Sequence, residues 1–538
     1  MRLLDPDTPT ERVLTKILSR QAAEIPDAIY MMAGDERFTF ADVERRAGDY
    51  AAGFAALGVR RNDSVAFLMS PCPEFVLATY GVMKLGAIWV PTNVDYKGEW
   101  LRETLEDSRA RVLVMDADLL QRVRALGEHL PFEHVIIRGG QDAGAVGGAP
   151  SSPLASLESS GAPTPDPVDL CDGDVAAVLW TSGTTGRSKG VMQSHGAWVR
   201  AAVSGVRTSG VQPGDVMYSC LPMYNSAAWV AIVYRALVCG LPFGLDPDFS
   251  ASRFWDRCRH YGARQVFTLG AMHMFLWNAP ARPDDTDNPV RQATMIPMPD
   301  HIMAGFMKRF GIESMDQGYG QSEVMGLLHR VDDGEPKKPL SLGVPLPGIE
   351  FRLLDENDRP VSPGTVGEFC VRPTEPYAIF SGYWGNPEAT ARAFRNLWYH
   401  TGDLGREDED GDYFFVDRKA DYIRYKGRSV SSFAVEATVN AHPAVAESAA
   451  HGVTSAELDS EAEIKVVVVL KEGETLLPAD LAAFVNENAP YFFVPRYVEF
   501  VSTLPRTPTG RVQKFKLRER GVTEATWDRV RAGFEVKR

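Results

Sequence analysis

Near the start of the chain, continuous runs of apolar residues alternate with a segment in which apolar residues recur at the spacing of a helix. Residues 65–69 form a continuous apolar run of the kind that builds a buried strand. Within residues 74–85 apolar side chains recur at helical spacing, and a glycine follows directly, as at the end of a helix. Residues 87–90 are again apolar. This alternation predicts an α/β fold layered around a mostly parallel sheet.

Two stretches of small or polar residues interrupt this pattern. Residues 138–168 are rich in Gly, Ala, Ser and Pro, which predicts a mobile surface connection. We do not expect a domain boundary there, because the α/β pattern resumes directly afterwards. Residues 281–289, ARPDDTDNP, predict a second exposed loop.

The pattern restarts as a smaller unit after about residue 421. EIKVVVVL predicts a strand, and PADLAAFVNENA predicts a helix. We therefore predict a large N-terminal domain of layered α/β subdomains at residues 1–416. A hinge follows at 417–421, and a small α+β domain at 422–538.

Composition narrows the class of protein. The formal charge of −14 over 538 residues argues against a nucleic-acid binder, because phosphate backbones attract basic faces. The six cysteines include no CxxC pair, which is typical of reduced thiols in a cytoplasmic protein. The first residues lack the apolar run of a signal peptide, and we expect no membrane span. The sequence does not indicate an oligomeric state.

The segment TSGTTGRSKG, residues 181–190, follows an apolar run and contains nothing that could pack in a core. Glycines let the backbone approach a ligand, hydroxyls and backbone N–H groups can hold phosphate oxygens, and a lysine can neutralise charge. The spacing fits neither the Walker A loop nor GxGxxG. A solvated polar loop is the alternative. The candidate phosphate-binding residues are Thr181, Ser182, Gly183, Thr184, Thr185 and Lys189.

The longer stretch LWTSGTTGRSKGVMQSH resembles the phosphate-loop signature of the adenylate-forming superfamily. That superfamily includes acyl-CoA ligases, luciferases and the adenylation domains of peptide synthetases. The resemblance covers residues 10–520 and is closest to bacterial carnitine- and crotonobetaine-CoA-ligase-like sequences. It implies two half-reactions, with a mobile small domain that rotates between them. First a carboxylate and ATP give acyl-AMP and pyrophosphate, and then a thiol attacks the acyl-AMP.

Further motifs of the superfamily follow in the expected order. By resemblance, GYGQSE places Tyr319 beside the adenine, Ser322 near the phosphate and Glu323 on Mg²⁺. YHTGDLG supplies Asp403 for the ribose hydroxyls, and DRKADYIRYKG supplies Arg418 for the nucleotide. Each of these stretches alone could be a turn. The resemblance implies ATP or AMP, Mg²⁺ and CoA as cofactors, and Lys189 and Glu323 as catalytic residues.

LPMYNSAAW resembles the segment beside the acyl pocket. Its large side chains favour an apolar, bulky acid, such as a polycyclic carboxylate from natural-product biosynthesis. Large residues in such segments are more often part of a core. The candidate pocket residues are Tyr224, Asn225, Trp229, Met272, Met295, Gly318 and Gly320.

Four positions depart from the superfamily's pattern. Arg511 stands where the last motif carries its catalytic lysine, and Ala420 stands where the hinge usually carries Asp or Lys. Met295 and Ile296 occupy an adenine loop that is usually small, and Asn225 replaces a histidine. Arginine's planar fork is a poor substitute for a compact ammonium at a tight site. We therefore predict weak adenylation and retained thioester formation on acyl-AMP supplied by a separate adenylating enzyme.

Three alternatives remain open at this point. In a complete two-step ligase, Arg511 or the nearby Lys514 would substitute for the missing lysine. In a loading enzyme, a carrier protein's phosphopantetheine would replace CoA, but no fused carrier is evident. In a non-catalytic nucleotide-binding protein, the motifs would bind without reacting. The basic tail with Lys514, Lys516 and Arg518 favours CoA as acceptor, although a solvated basic face is the commoner explanation for such a run.

Overall fold

The computed structural model describes residues 12–140, 143–163, 165–181, 188–330, 338–425, 428–454, 462–507 and 510–537. These residues fall into two compact units. The first contains the described residues of 12–181, 188–351 and 371–397, and the second those of 352–370 and 398–537. The proposed hinge at 417–421 lies within the second unit and stays a prediction.

A largely parallel sheet of nine described strands forms one layer of the first unit. Its interior strands are almost fully buried, as their continuous apolar runs predict. From edge to edge its strands are Gly382–Tyr383, Lys189–Ser194, Val175–Thr181, Ile88–Pro91, Ser64–Leu68, Val112–Asp116, His134–Arg138, Ala149–Pro153 and Ala145–Val146.

A second sheet of seven described strands is also mostly parallel, with an antiparallel strand at one edge. Its strands in order are Ser314–Asp316, Gln292–Ile296, Gln265–Leu269, Met217–Ser219, Phe243–Leu245, Ile29–Ala33 and Glu36–Thr39. A small antiparallel sheet follows with strands Gly318–Tyr319, Leu328–His329 and Val344–Pro345.

Helices cover the two large sheets and supply most of the apolar core. Phe40–Ala56 begins with a full capping box, in which Thr39 and Asp42 exchange side-chain and backbone hydrogen bonds. The first unit's helices are Leu14–Glu24, Phe40–Ala56, Pro73–Lys84, Gly98–Asp107, Ala117–Leu119, Leu120–Arg124, Ala155–Glu158, His195–Thr208, Ser226–Ala228, Trp229–Val233, Tyr234–Cys239, Phe254–Tyr261, Ala271–Asn278, Asp300–Phe310 and Pro387–Ala393.

The second unit combines antiparallel strands with a separate apolar cluster under its helices. Strands Ile349–Leu354 and Gly367–Pro373 each cross from one unit's residues into the other's. The remaining strands are Phe394–Arg395 in the first unit, and Trp398–Glu407, Tyr413–Arg418, Ile423–Tyr425, Arg428–Val430, Val445–Thr454, Ala462–Leu470, Tyr497–Phe500 and Trp527–Asp528 in the second. Its helices are Ser432–Asn440, Pro478–Asn488, Tyr491–Phe493 and Lys514–Arg520.

The α/β fold predicted from the apolar pattern is confirmed. The predicted helix at 74–85 is Pro73–Lys84, and the predicted strands at 65–69 and 87–90 are each displaced by one residue. No described helix has the length and apolar character needed to span a bilayer.

The interpretation of residues 138–168 as a mobile connection is wrong for residues 145–158. Ala145–Val146 and Ala149–Pro153 form a hairpin at the edge of the nine-stranded sheet, and Ala155–Glu158 is helical. The hairpin turns through Gly147 and Gly148, both with positive φ. Glycine richness here serves a tight turn rather than a linker.

Candidate active site

The phosphate-loop segment lies between two antiparallel strands of the nine-stranded sheet. Val175–Thr181 pairs with Lys189–Ser194, and the register places Thr181 opposite Lys189. The Thr181 hydroxyl donates to the Lys189 carbonyl at 3.4 Å. Ser182, Gly183, Thr184 and Thr185 lie outside the described residues. The two strands that flank the segment in the chain are therefore paired as far as Thr181 and Lys189.

Lys189 and Glu323 both contact one aromatic residue, Tyr383. The Lys189 ammonium lies 4.9 Å from the centre of the Tyr383 ring. The Tyr383 hydroxyl donates to Glu323 Oε1 at 2.9 Å. Phosphate-loop lysine and metal-binding glutamate, predicted from motifs more than a hundred residues apart, are therefore brought to the same place. Sequence reasoning missed Tyr383, because it belongs to none of the motifs used and has no diagnostic spacing from either partner.

Backbone carbonyls around Glu323 are held by buried side chains from the phosphate-loop strand and the helix after it. Gln193 donates to the carbonyl of Ser322. Arg200 donates to the carbonyls of Met325 at 2.6 Å and Ala378 at 2.7 Å. Burial lowers the pKa of the Arg200 guanidinium to about 10, so it stays charged at neutral pH. Ser322 is thus fixed through its backbone next to Glu323.

Gly318 and Gly320, predicted to line the acyl pocket, have a structural reason to be glycine. A Cβ on Gly318 would lie 2.7 Å from the Leu328 carbonyl oxygen, and one on Gly320 would lie 2.8 Å from the Gly326 nitrogen. Both contacts are with backbone, which cannot give way easily. Tyr319, between them, is half-buried in the strand paired with Leu328–His329.

Two of the large residues assigned to the pocket belong to the core. Trp229 is fully buried against Trp89 and Tyr234, and its indole N–H donates to the Met223 carbonyl at 2.7 Å. Met295 is also fully buried, in a strand flanked by two others. Their size therefore fills the interior, and it gives no evidence for a bulky acid.

The other pocket candidates differ in what their side chains do. Asn225 begins the helix Ser226–Ala228 by accepting a hydrogen bond from the Ala227 N–H at 3.1 Å. Tyr224 is half-buried, and burial raises its pKa to about 12. Met272 is half-buried at the edge of two apolar clusters. Tyr224 and Met272 thus keep a partly exposed surface that a ligand could contact.

The predicted nucleotide residues of the second unit form an ion pair. Strands Trp398–Glu407 and Tyr413–Arg418 are antiparallel, with Asp403 opposite Arg418. The Arg418 guanidinium lies 2.8 Å from Asp403 Oδ1. Asp403 is fully buried, whereas about a third of the Arg418 side chain is exposed. In this arrangement the carboxylate predicted to accept the ribose hydroxyls is covered by its own counter-ion.

Ala420 lies in an exposed turn between two charged neighbours that are each paired. Lys419 donates to Glu368 Oε2 at 2.7 Å, and Asp421 accepts from Arg518 at 2.7 Å. Ala420 itself has no polar side-chain atom to pair. The charged side chains on either side of the predicted hinge residue are therefore both paired within the second unit.

Glu368, Cys370 and His400 are buried together, close enough to be considered as metal ligands. His400 Nδ1 lies 3.1 Å from Glu368 Oε2 and 3.3 Å from Cys370 Sγ. The Lys419 ammonium already contacts the same carboxylate. Burial alone would raise the pKa of Glu368, but the bonds from His400 and Lys419 outweigh it and lower that pKa to about 2. The Glu368 carboxylate is thus already paired with two groups of the protein.

Replacing Glu368 by glutamine is expected to lower the free energy of unfolding by roughly 1.5–3 kcal/mol at pH 7. The folded-state pKa is depressed, so the carboxylate's contribution is present above its ordinary pKa of about 4.3 and is lost as the pH falls towards about 2. Urea unfolding at pH 7, 5 and 3.5 should therefore show the two proteins converging in acid. Exposed Glu519→Gln is the control, and a gap that stays constant to pH 3.5 would contradict the assignment.

The two cations near the last motif have different environments. Arg511 is exposed, in a turn closed by hydrogen bonds between Thr507 and Arg511 in both directions. Lys514 is mostly buried, and its ammonium lies 2.7 Å from Glu436 Oε1 and 2.6 Å from the Ser432 hydroxyl. Lys514 is therefore held by two partners within the second unit, and Arg511 is the more exposed of the two cations.

The chain matches known proteins over nearly its whole length. The family model of the AMP-binding enzyme matches residues 18–384, and that of the AMP-binding enzyme C-terminal domain matches residues 434–511. The crotonobetaine/carnitine–CoA ligase of Salmonella agona (strain SL483) is 31% identical over 487 residues, which cover 90% of this chain and 93% of the relative.

Solved structures share the fold. ATP-bound MatB from Rhodopseudomonas palustris has a TM-score of 0.80 at 25% identity, over 94% of this chain and 98% of that one. The o-succinylbenzoate CoA synthetase MenE from Bacillus subtilis, solved with ATP and magnesium ion, gives 0.80 at 22% identity, over 95% and 99%. The same synthetase with its acyl-adenylate intermediate gives 0.81 at 22% identity, over 95% and 98%.

Proposed function

Because the chain belongs to the AMP-binding, adenylate-forming enzyme family of acid–thiol ligases, we propose that it joins a carboxylic acid to CoA through a bound acyl-adenylate. The observation that carries the proposal is the convergence of Lys189 and Glu323 on Tyr383. Two family motifs, far apart in sequence, thus supply a cation and a carboxylate to one place in the first unit.

The residues fit the cofactors that the solved relatives hold. MatB and MenE were solved with ATP, and MenE also with magnesium ion. Lys189 would neutralise the phosphates, and Glu323 would hold Mg²⁺, which when bound neutralises charge on the phosphate oxygens. A carboxylate has about four acceptor positions, and the bond from Tyr383 uses one of them. Asp403 would hold the ribose once Arg418 shifts towards the nucleotide.

We assign the chain mainly to the second half-reaction, thioester formation from acyl-AMP and CoA. The support is the environment of the last motif. Arg511 replaces the adenylation lysine, and Lys514, the other candidate, is held by Glu436 and Ser432. A separate adenylating enzyme would then supply the acyl-AMP. The complete two-step ligase is the second candidate, favoured by the retention of Lys189, Glu323, Asp403 and Arg418.

The pocket candidates that the structure describes do not identify the carboxylic acid substrate. Because Trp229 and Met295 lie in the core, only Tyr224 and Met272 still support an apolar acid as substrate. Mass spectrometry of any acyl-adenylate retained by the purified protein would identify the acid directly. The six free thiols are consistent with a reducing compartment such as the cytoplasm, where ATP and CoA are available.

The acceptor is expected to be CoA. The test offers one synthetic adenylate, benzoyl-AMP, with CoA, pantetheine or a phosphopantetheinylated carrier protein in separate reactions, each followed by mass spectrometry. We expect the fastest thioester formation with CoA and slower formation with pantetheine, which lacks the charged nucleotide. Turnover with the carrier alone would instead assign the chain to carrier loading. If the protein binds AMP but forms no thioester from benzoyl-AMP or from aliphatic adenylates, the chain would be a non-catalytic nucleotide-binding protein.

A further inference from the structure

Tyr383 is held in place by its backbone and its ring. Strand Gly382–Tyr383 pairs with the phosphate-loop strand, and Tyr383 lies opposite Val191 in that register. The Tyr383 N–H donates to the Thr390 hydroxyl at 2.9 Å, and its ring packs edge-on against Phe380 at 5.1 Å. Only 6% of the residue is exposed. Its ring and hydroxyl therefore have little freedom to move.

The ring and the hydroxyl of Tyr383 contact residues of opposite charge. The ring faces the Lys189 ammonium, as in a cation–π contact, while the hydroxyl donates to Glu323 Oε1. An ammonium and a carboxylate that met directly would neutralise one another and would be less available to phosphate and metal. Tyr383 gives each charge a partner that is itself neutral.

Glu323 is fixed from a second direction by the same segment. The Phe380 N–H donates to the Glu323 carbonyl at 2.9 Å, and Phe380 is three residues before Tyr383. The segment thus holds both the backbone and the carboxylate of Glu323. A contact made only to fill space would not need a hydroxyl aimed at the carboxylate of the predicted metal ligand.

The geometry points to Tyr383 as a positioning residue that orients the Glu323 carboxylate for Mg²⁺ and keeps Lys189 directed at the phosphates. This inference rests on the proposed function, because it assumes that the chain binds a magnesium–nucleotide. Tyr383 acts through Glu323 and Lys189 and is not assigned a contact with the substrate. It extends the site by one residue that the sequence motifs did not supply.

The test measures binding by calorimetry, with ATP in the presence and absence of Mg²⁺, and with AMP. Tyr383→Phe keeps the ring and removes the hydroxyl. We expect the gain in ATP affinity on adding Mg²⁺ to shrink about 10-fold, with AMP affinity within about twofold of wild type. Tyr383→Leu also removes the ring. Its ATP affinity should fall further, by about 3- to 5-fold, even without Mg²⁺.

Two further variants separate positioning from general loss of structure. Tyr80→Phe removes another buried tyrosine hydroxyl, which bonds to Tyr30 at 2.8 Å, and it should leave the magnesium effect intact. Glu323→Gln should remove the magnesium effect, and adding Tyr383→Phe to it should then change nothing more. A magnesium effect of wild-type size in Tyr383→Phe, or an additive double variant, would overturn the inference. A wild-type protein that binds neither nucleotide would contradict the proposed function itself.

Discussion

Replacing Arg511 by lysine is expected to raise acid-dependent exchange of pyrophosphate into ATP by about 10²-fold. One well-placed transition-state donor is typically worth about 10²–10³ in rate. Lysine offers a compact ammonium on a flexible stem, whereas arginine spreads the same charge over a wide planar fork. Because Arg511 is exposed, the substitution changes the chemistry of the side chain without disturbing the apolar core. The measurement is isotope exchange with a panel of aromatic and aliphatic acids.

The controls for this variant lie in the same segment. Lys516→Arg makes the opposite substitution at an exposed neighbouring position, and it should leave the rate of pyrophosphate exchange unchanged. Lys514→Gln removes the other candidate cation. Because Lys514 is paired with Glu436, the rate of pyrophosphate exchange per folded protein should not fall. Robust exchange by the wild-type protein would end the half-reaction assignment. If Arg511→Lys does not restore exchange, Met295 and Ile296 become the next positions to change.

Replacing Asp403 by alanine is expected to weaken AMP binding by about 10- to 150-fold. A hydrogen bond that involves a charged group is worth roughly 1.5–3 kcal/mol, and Asp403 is predicted to accept from the ribose. The same change also leaves Arg418 without its partner at 2.8 Å. Calorimetry with AMP measures the affinity, and thermal unfolding of the same samples measures any loss of stability.

A matched variant separates the two effects of Asp403. Asp403→Asn keeps the shape and an acceptor oxygen but removes the charge that pairs with Arg418. We expect its AMP affinity to lie between that of wild type and Asp403→Ala. Equal AMP binding by the wild-type and alanine proteins would show that Asp403 does not hold the nucleotide.

The sequence was most informative where one pattern has one structural solution. Short continuous apolar runs are typical of buried strands, and the strands at 64–68 and 88–91 were placed to within a residue. The loop signature likewise marked Thr181 and Lys189, which the structure places side by side. Local periodicity and motif chemistry are both readable from the chain because they depend on neighbouring residues.

The rest depends on contacts between distant segments, which a single sequence does not contain. Trp229 follows the acyl-pocket motif, yet it packs in the core, and nothing near it in sequence distinguishes the two environments. Tyr383 contacts Glu323 only because strand Gly382–Tyr383 adds to the phosphate-loop strand. Lys514 carries a positive charge close to the last motif, but its partner Glu436 comes from another helix.

Thioester formation from preformed acyl-AMP and CoA, with no ATP present, tests the central claim most directly. The wild-type protein is mixed with benzoyl-AMP, cyclohexanecarbonyl-AMP or octanoyl-AMP and CoA, and AMP and acyl-CoA are quantified over one turnover. We predict equal amounts of AMP and acyl-CoA for at least one adenylate, with little pyrophosphate exchange by the same preparation. Adenylate that stays bound and unreacted across the panel, or hydrolyses without thioester, would contradict it.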